Sequence, residues 1–372
     1  MRVGVYPYNA EFEPFLRHTS LLDPAFKISA LISPVGWGLV GQVIETGGGE
    51  WAVISEFEPV LNDIDTVFIP AFHANENVET LIIKEIQTIV PQLGKIICAA
   101  RLTVKNTESL QAACEQAGCV FENLNISKSA EEYRLSRPTD QNPTIAPLET
   151  PIVVIAGLWE ETDKFEASLV LREKFIENNY RITQVGSRNC CELFGFHSFP
   201  GFMLDPCVDA ADKVVYLNRW IQQLAKTEKP DIIILTIPGA IQNLNEKFTK
   251  GFGILPHIVF QAVMADFFLF CTMYDEGSLQ FLQEISTMCQ YRFDCKVDCY
   301  HMSNLLFDLN ASKERSQVMI DRVYRETVSE ALDKGYKDSP IPIVNLLDQQ
   351  SWDKLFELVM NKLSGEDFQI LM

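Results

Sequence analysis

The 372-residue chain has no apolar run of bilayer length. Its most apolar window, Ile258–Tyr274, is broken by Gln261 and Asp266, and a membrane-spanning helix needs about 20 nearly uninterrupted apolar residues. The window therefore predicts a buried helix running into a buried strand, and no membrane partner is expected. The chain is also short of positive charge. It holds 31 Lys plus Arg against 50 Asp plus Glu, a net charge of −19. That balance excludes a protein that coats nucleic acid by neutralising phosphates. Residues 1–150 carry 10 basic and 19 acidic groups, so the deficit is general rather than a tail, and it bears on solubility more than on fold. No H-E-x-x-H, G-x-S-x-G or EF-hand pattern occurs. No N-K-x-D base-reading motif occurs either, so nothing selects guanine. The opening residues MRVGVYPYNAEFE lack an apolar stretch followed by a small-residue cleavage site. Together with ten cysteines that fit reduced thiols better than a disulfide framework, this predicts a cytoplasmic protein.

What is present is alternation. Arg2–Tyr8, Lys27–Ser33, Thr66–Pro70 and Lys95–Ala99 read as short buried strands. Between the last two, Val78, Leu81, Ile82, Ile86 and Ile89 recur at helical spacing within 77–91. Thr107–Gly118 is a second helix ending at a glycine, and Cys119–Phe121 begins another strand. Such alternation predicts a parallel sheet with helices on its faces. The pattern stops in the polar tract Asn125–Thr150, which contains Pro138, Pro143 and Pro147. The expected organisation is a Rossmann-like or flavodoxin-like α/β domain over 1–128, a linker over 129–150 and a second α/β domain over 151–372. Each domain is a mainly parallel sheet flanked by helices, and no internal repeat is visible.

Two glycine motifs compete for a ligand. Gly36-Trp37-Gly38-Leu39-Val40-Gly41 matches G-x-G-x-x-G after a predicted strand, with Glu56 at a spacing suited to a ribose. A dinucleotide fold needs a helix to open at the third glycine. The nine residues between Gly41 and Trp51 include Gly47, Gly48 and Gly49, and cannot hold a crossover helix and its loops. A glycine loop at a strand end is the expectation; a dinucleotide-binding enzyme using Gly36–Gly41 is the alternative.

The second motif begins after Pro151. Ile152–Ala156 is an apolar strand, Gly157 breaks it, and a helix follows with Phe165, Leu169 and Ile176 on one face and Phe175 at its edge. This strand–glycine–helix order suits an anion held at a helix N-terminus. The residues from Gly157 through Leu158, Trp159, Glu160, Glu161 and Thr162 to Asp163, Lys164 and Phe165 spell G-x5-D-K-F. The loop resembles the G-x5-G-K-T loop of dethiobiotin synthetase and its relatives, with Asp163 in place of the second glycine and Phe165 in place of the hydroxyl residue. Phe165 cannot ligate magnesium, and Asp163 repels a phosphate unless it turns to cap the helix. Downstream, the strand Pro230–Leu235 runs into Thr236-Ile237-Pro238-Gly239, where many nucleotide hydrolases have D-x-x-G. Both magnesium-side groups are therefore missing, which argues against magnesium and against rapid triphosphate hydrolysis. The expectation is a P-loop-like domain with a degenerate Walker A loop that binds ATP or GTP, with Lys164 as the phosphate contact and Arg188 as a second cation. A surface lysine and a solvated arginine are the bland alternatives.

Tyr180–Gly186, Asp266–Thr272, Arg292–His301 and Ile341–Leu346 complete the expected strands, with helices at Ser316–Leu332 and Ser351–Leu363. If Arg292–His301 is one regular strand, Cys295, Cys299 and His301 share a face and form a conceivable three-ligand metal site. Small core cysteines are the competing reading, and no metal is expected.

Over GLWEETDKFEASLVLREKFIENNYRITQVGSRNCCELFGFHSFPGF and PDIIILTIPGAI the chain resembles a bacterial family of P-loop-like accessory proteins. That family accompanies a short Cys-rich precursor peptide and a radical S-adenosylmethionine maturase. The resemblance implies a role in peptide maturation, with those two molecules as partners. By analogy with phosphate-loop proteins it implies a homodimer. A scaffold that binds no ligand and recruits peptide and maturase is the alternative.

Overall fold

A computed structural model describes residues 1–46, 48–125, 144–274, 278–315 and 318–365. The chain divides into two compact units: Met1–Ser127 with Glu192–Gly195, and Lys128–Cys191 with Phe196–Met372. Of the polar tract expected to join two domains, 126–143 lies outside the described residues.

The first unit runs β1 (Arg2–Val5), α1 (Glu13–Arg17), β2 (Lys27–Ile32), β3 (Val43–Thr46), β4 (Gly49–Ile54), β5 (Thr66–Ile69), α2 (Glu76–Ile89), β6 (Lys95–Cys98), α3 (Val104–Ala117) and β7 (Val120–Asn123). Its seven strands lie in the order β3-β4-β2-β1-β5-β6-β7. All neighbours are parallel except β3 and β4. Local chemistry sets the helix ends. Asn75 and Thr103 cap α2 and α3 by accepting from the amides of Val78 and Asn106, and Gly118 ends α3 in the left-handed conformation. Ile82, Ile83, Ile86 and Ile89 of α2 pack on the sheet, whereas Leu81, expected on the same face, is 60% exposed. Phe194 lies edge-on to Phe15, ring centroids 4.8 Å apart.

Gly36, Gly38 and Gly41 stand between β2 and β3 with φ of 95°, 75° and 84°, and an added Cβ at any of them meets nothing within 4 Å. The chain leaves Gly41 for the β3–β4 hairpin, so the helix that a dinucleotide fold requires at this point is absent.

The second unit holds β8 (Ile152–Gly157), α4 (Lys164–Glu177), β9 (Ile182–Gly186), β10 (His197–Ser198), α5 (Ala210–Glu228), β11 (Ile232–Thr236), α6 (Ile254–Ala262), β12 (Phe267–Thr272), α7 (Leu279–Phe293) and β13 (Cys299–Met302). It continues through β14 (Leu305–Phe307), α8 (Leu309–Arg315), β15 (Ile320–Arg322), α9 (Arg325–Gly335), β16 (Ile343–Val344) and α10 (Gln350–Ser364). Seven parallel strands follow the order β10-β9-β11-β8-β12-β13-β16, which makes β8 the central strand. β14 and β15 form a separate antiparallel pair.

Every residue of β8 is buried, as a strand covered on both faces requires. Ile152, Val154 and Ala156 pack with Leu217, Trp220 and Ile221 of α5, Val259 of α6 and Ile285 of α7. Val153 and Ile155 pack with Val170, Leu171 and Phe175 of α4 and Leu355 and Val359 of α10 on the other face. The connection leaving β8 thus enters a helix on one face, while those leaving β11 and β12 enter helices on the opposite face. The C-terminal end of β8 is a topological switch point, where open α/β sheets place their ligands.

Three expectations are corrected here. Ile176 is 46% exposed, and Phe175 takes the buried place on α4. Arg292 belongs to α7 rather than to a strand, and the strand before His301 begins only at Cys299. The segment read as a helix from Ser316 contains β15 before α9 starts at Arg325; residues 316 and 317 lie outside the described residues.

Candidate functional site

The loop from Gly157 to Phe165 joins the central strand to α4. It folds back over its own first residue. A Cβ at 157 would lie 2.2 Å from Thr162 Oγ1 and 3.0 Å from both the Trp159 carbonyl oxygen and Lys164 Cδ, so only glycine fits. Asp163 is the N-cap of α4 with φ of 55°, and its side chain makes no capping hydrogen bond. The backbone at this position is left-handed, a region that favours glycine and in which Asp is one of the few side chains at ease.

Lys164 begins α4 and is 3% exposed. Its ammonium donates to the carbonyl oxygens of Trp159 (2.6 Å) and Glu160 (2.7 Å), and Thr162 Oγ1 donates to the Trp159 carbonyl at 3.0 Å. Burial pushes the Lys164 pKa down to about 8, against the opposing pull of Cys271, Glu160, Glu161 and Asp163. Leu158 and Trp159 are buried; Trp159 packs with Ala240, Phe248 and Met273 and anchors the loop. Glu160 is exposed and Glu161 half-buried. Phe165 is buried, and the Arg188 guanidinium lies over its ring, 4.4 Å from the centroid. Arg188, expected as the second cation, is thus a stacking partner of Phe165 in this structure.

The Thr236–Gly239 segment meets the loop. β11 pairs directly with β8, Thr236 opposite Ile155, and the amide of Ile241 donates to the Gly157 carbonyl at 2.9 Å. Gly239 makes the turn with φ of 78°. Thr236 is fully buried and its hydroxyl has no hydrogen-bond partner. The Trp159 indole N–H is likewise buried without one. Native interiors leave few such atoms, and each calls for a reason.

Sequence reasoning missed what lies over the loop. Lys250 Nζ is 2.7 Å from Glu160 Oε2 and 6.0 Å from the Trp159 ring centroid. It opens a turn, Lys250–Gly253, whose four residues have φ of 35°, 74°, 55° and 69°. Left-handed backbone at a residue other than glycine costs on the order of 1–3 kcal/mol. The Lys-Gly-Phe-Gly tetrapeptide was the available signal.

The metal reading fails on geometry. Asp294 turns the chain at φ of 54°, Cys295 lies before β13, and only Cys299 and His301 share a strand. Among the described residues, Cys295, Cys299 and His301 do not gather into a metal-sized group. His301 is buried, and its Nδ1 lies 3.2 Å from the Leu346 amide, which donates to it. Burial lowers its pKa.

No known protein-family model matches the chain, and no curated protein matches it by sequence. The fold has likenesses among solved structures. A DUF1611 family protein from Anabaena variabilis superposes with a TM-score of 0.61 at 13% identity, covering 97% of this chain and 99% of that one. That likeness concerns the fold. Lower-scoring matches include apo McdA from Cyanothece (TM-score 0.31, 16% identity, 58% of this chain and 100% of that one). A GTPase from Pyrococcus abyssi scores 0.30 at 12% identity, covering 57% and 97%. Among the described residues, no helix is long and apolar enough to cross a membrane.

Proposed function

We propose that the second unit binds a phosphate-bearing ligand, ATP or GTP in the first instance, at the loop Gly157–Phe165, with weak or no hydrolysis. The carrying observation is the position of Lys164: a buried ammonium in the first turn of the helix that follows the central strand, at the switch point of a parallel sheet. Phe165 and Thr236 stand where a magnesium site would need a hydroxyl and a carboxylate, which supports binding without fast turnover. Within a cell the ligand-bound protein would assist a radical S-adenosylmethionine maturase acting on a Cys-rich precursor peptide, a role supported by the sequence resemblance over 151–205.

Titration of fluorescent ATP and GTP, with and without magnesium, tests the site. Saturable binding that disappears in Lys164→Ala is expected. Binding that the substitution leaves intact moves the site elsewhere, and failure of the wild type to bind either nucleotide removes the reading.

One observation favours a second reading, a ligand-free scaffold. The Lys164 ammonium is satisfied by carbonyls of its own loop, and Trp159 is buried against Ala240, Phe248 and Met273. A scaffold would retain the purified maturase and precursor peptide in a pull-down without nucleotide; recovery of neither counts against both forms of the accessory role.

A further inference from the structure

Six described residues other than glycine have positive φ. Four sit at helix ends: Asp163 before α4, Asn179 just after it, Lys229 after α5 and Asp294 after α7. Such positions use left-handed backbone to stop or start a helix. Lys250 and Phe252 lie in the Lys250–Gly253 turn, where every residue is left-handed. Gly253 admits no side chain, since a Cβ there would lie 2.0 Å from the Ile241 carbonyl oxygen. Arg292, in the last turn of α7, staples the turn by donating to the carbonyl oxygens of Ile241 (3.3 Å), Phe252 (3.0 Å) and Gly253 (3.3 Å). The turn buries little in return, because Phe252 is 57% exposed. What the strained geometry delivers is the Lys250 ammonium, set on the Glu160 carboxylate at 2.7 Å.

We infer that Lys250 is the second cation of the anion site, with Arg292 as its positioning residue. The inference rests on the reading that Gly157–Phe165 holds an anion, and it names the ligand class. The loop carries Glu160, Glu161 and Asp163 against one ammonium, a balance that opposes any phosphate. Lys250 neutralises Glu160. Its flexible stem lets the ammonium turn from Glu160 toward a ligand oxygen without moving the stapled backbone. Two ammonium groups, with Phe165 and Thr236 at the usual magnesium-side positions, suit a polyphosphate chain such as diphosphate or the phosphates of a nucleotide.

The experiment measures competition of inorganic diphosphate with fluorescent ATP on the full chain, in chelator, across a range of salt concentrations. Lys250→Ala is expected to weaken binding about tenfold and to flatten its salt dependence, while Lys250→Arg stays within about threefold of wild type. Glu160→Gln is expected to tighten binding. Arg292→Ala should weaken binding about as much as Lys250→Ala and add nothing to it in the double variant. If Arg292→Ala does not fold, the opposite responses of Lys250→Ala and Glu160→Gln decide alone. Wild-type binding that is lost in Lys164→Ala but unchanged in Lys250→Ala overturns the role of Lys250 and leaves the loop reading standing. Absence of wild-type binding overturns the loop reading, and Lys250 with it.

Discussion

The ammonium of Lys164 lies 2.6 Å from the carbonyl oxygen of Trp159, so the cation of the proposed anion site is held inward by the loop that would cradle the ligand. An anion bound by Lys164 would have to draw it from that carbonyl, and Lys164 is a cation only while it keeps its proton.

Stability and binding should therefore respond to pH in opposite senses. An unfolded lysine keeps its proton up to about 10.5, and folded Lys164 only to about 8. Between these values the unfolded chain binds more protons, so this residue makes stability rise as pH climbs from 8 to 10.5. Below pH 8 the buried charge costs about 3 kcal/mol. Anion affinity should fall through the same window. Urea melts of wild type and Lys164→Met at pH 7.5 and 9.5 check the first part: the variant should lack the wild-type gain. Equal pH responses in the two proteins would show that the ammonium is not buried.

Gly157→Ala should destabilise the second unit by about 1–3 kcal/mol, because the new methyl overlaps Thr162 Oγ1 and the Trp159 carbonyl. Serine at 162 keeps that oxygen, so Gly157→Ala/Thr162→Ser should gain little, whereas Gly157→Ala/Thr162→Ala should recover part of the loss. Denaturant midpoints decide; a single variant as stable as wild type contradicts the folded-back loop.

Thr236→Val should be neutral or stabilising by about 1 kcal/mol, unlike most changes at a fully buried position. It removes a hydroxyl that has no partner while keeping a β-branched shape suited to the strand. A loss above about 1 kcal/mol in thermal or urea unfolding would mean that the hydroxyl is satisfied in solution.

In the first unit, Glu79→Ala should cost about 2–4 kcal/mol. One carboxylate oxygen of Glu79 accepts from the Thr103 amide (2.8 Å), the Thr103 hydroxyl (2.8 Å) and the Asn106 side-chain amide (2.7 Å), joining α2 to the start of α3. Without it three donors are left in a largely buried place. Hydrogen exchange should quicken over the first turn of α3; unchanged protection there would contradict the link.

Much of the fold was legible because its signals are local. Apolar runs of four to six residues alternating with helical spacing mark β1, β2, β5, β6, β8, β11 and β12, and Gly118 marks the end of α3 through its own backbone chemistry, whereas the caps Asn75 and Thr103 lie two and four residues before the helix starts read from spacing. The β3–β4 hairpin was not legible, since its strands are short and half exposed and carry little hydrophobic pattern. The helix ending at Phe293 hid because Phe293, Cys295, Val297 and Cys299 alternate with charged residues from Arg292 to Asp298, a period of two that reads as a strand across the last turn of α7 and the approach to β13. Leu81 and Ile176 obey helical spacing yet face outward, because periodicity gives the angle of a residue around its helix and not the width of the surface that covers it.

The candidate site divides in the same way. Sequence alone determined the order strand, glycine, lysine, helix and the absence of a hydroxyl at Phe165 and of a carboxylate at Thr236, because these are matters of residue type and spacing along one stretch. Only the tertiary structure brings a second ammonium to the loop. Arg188 follows β9 and rests on the Phe165 ring, while Lys250, 86 residues beyond Lys164, arrives through a left-handed turn that Arg292 holds from another helix. Charge partners at that separation are set by how the chain crosses the sheet, and no local pattern encodes the crossing.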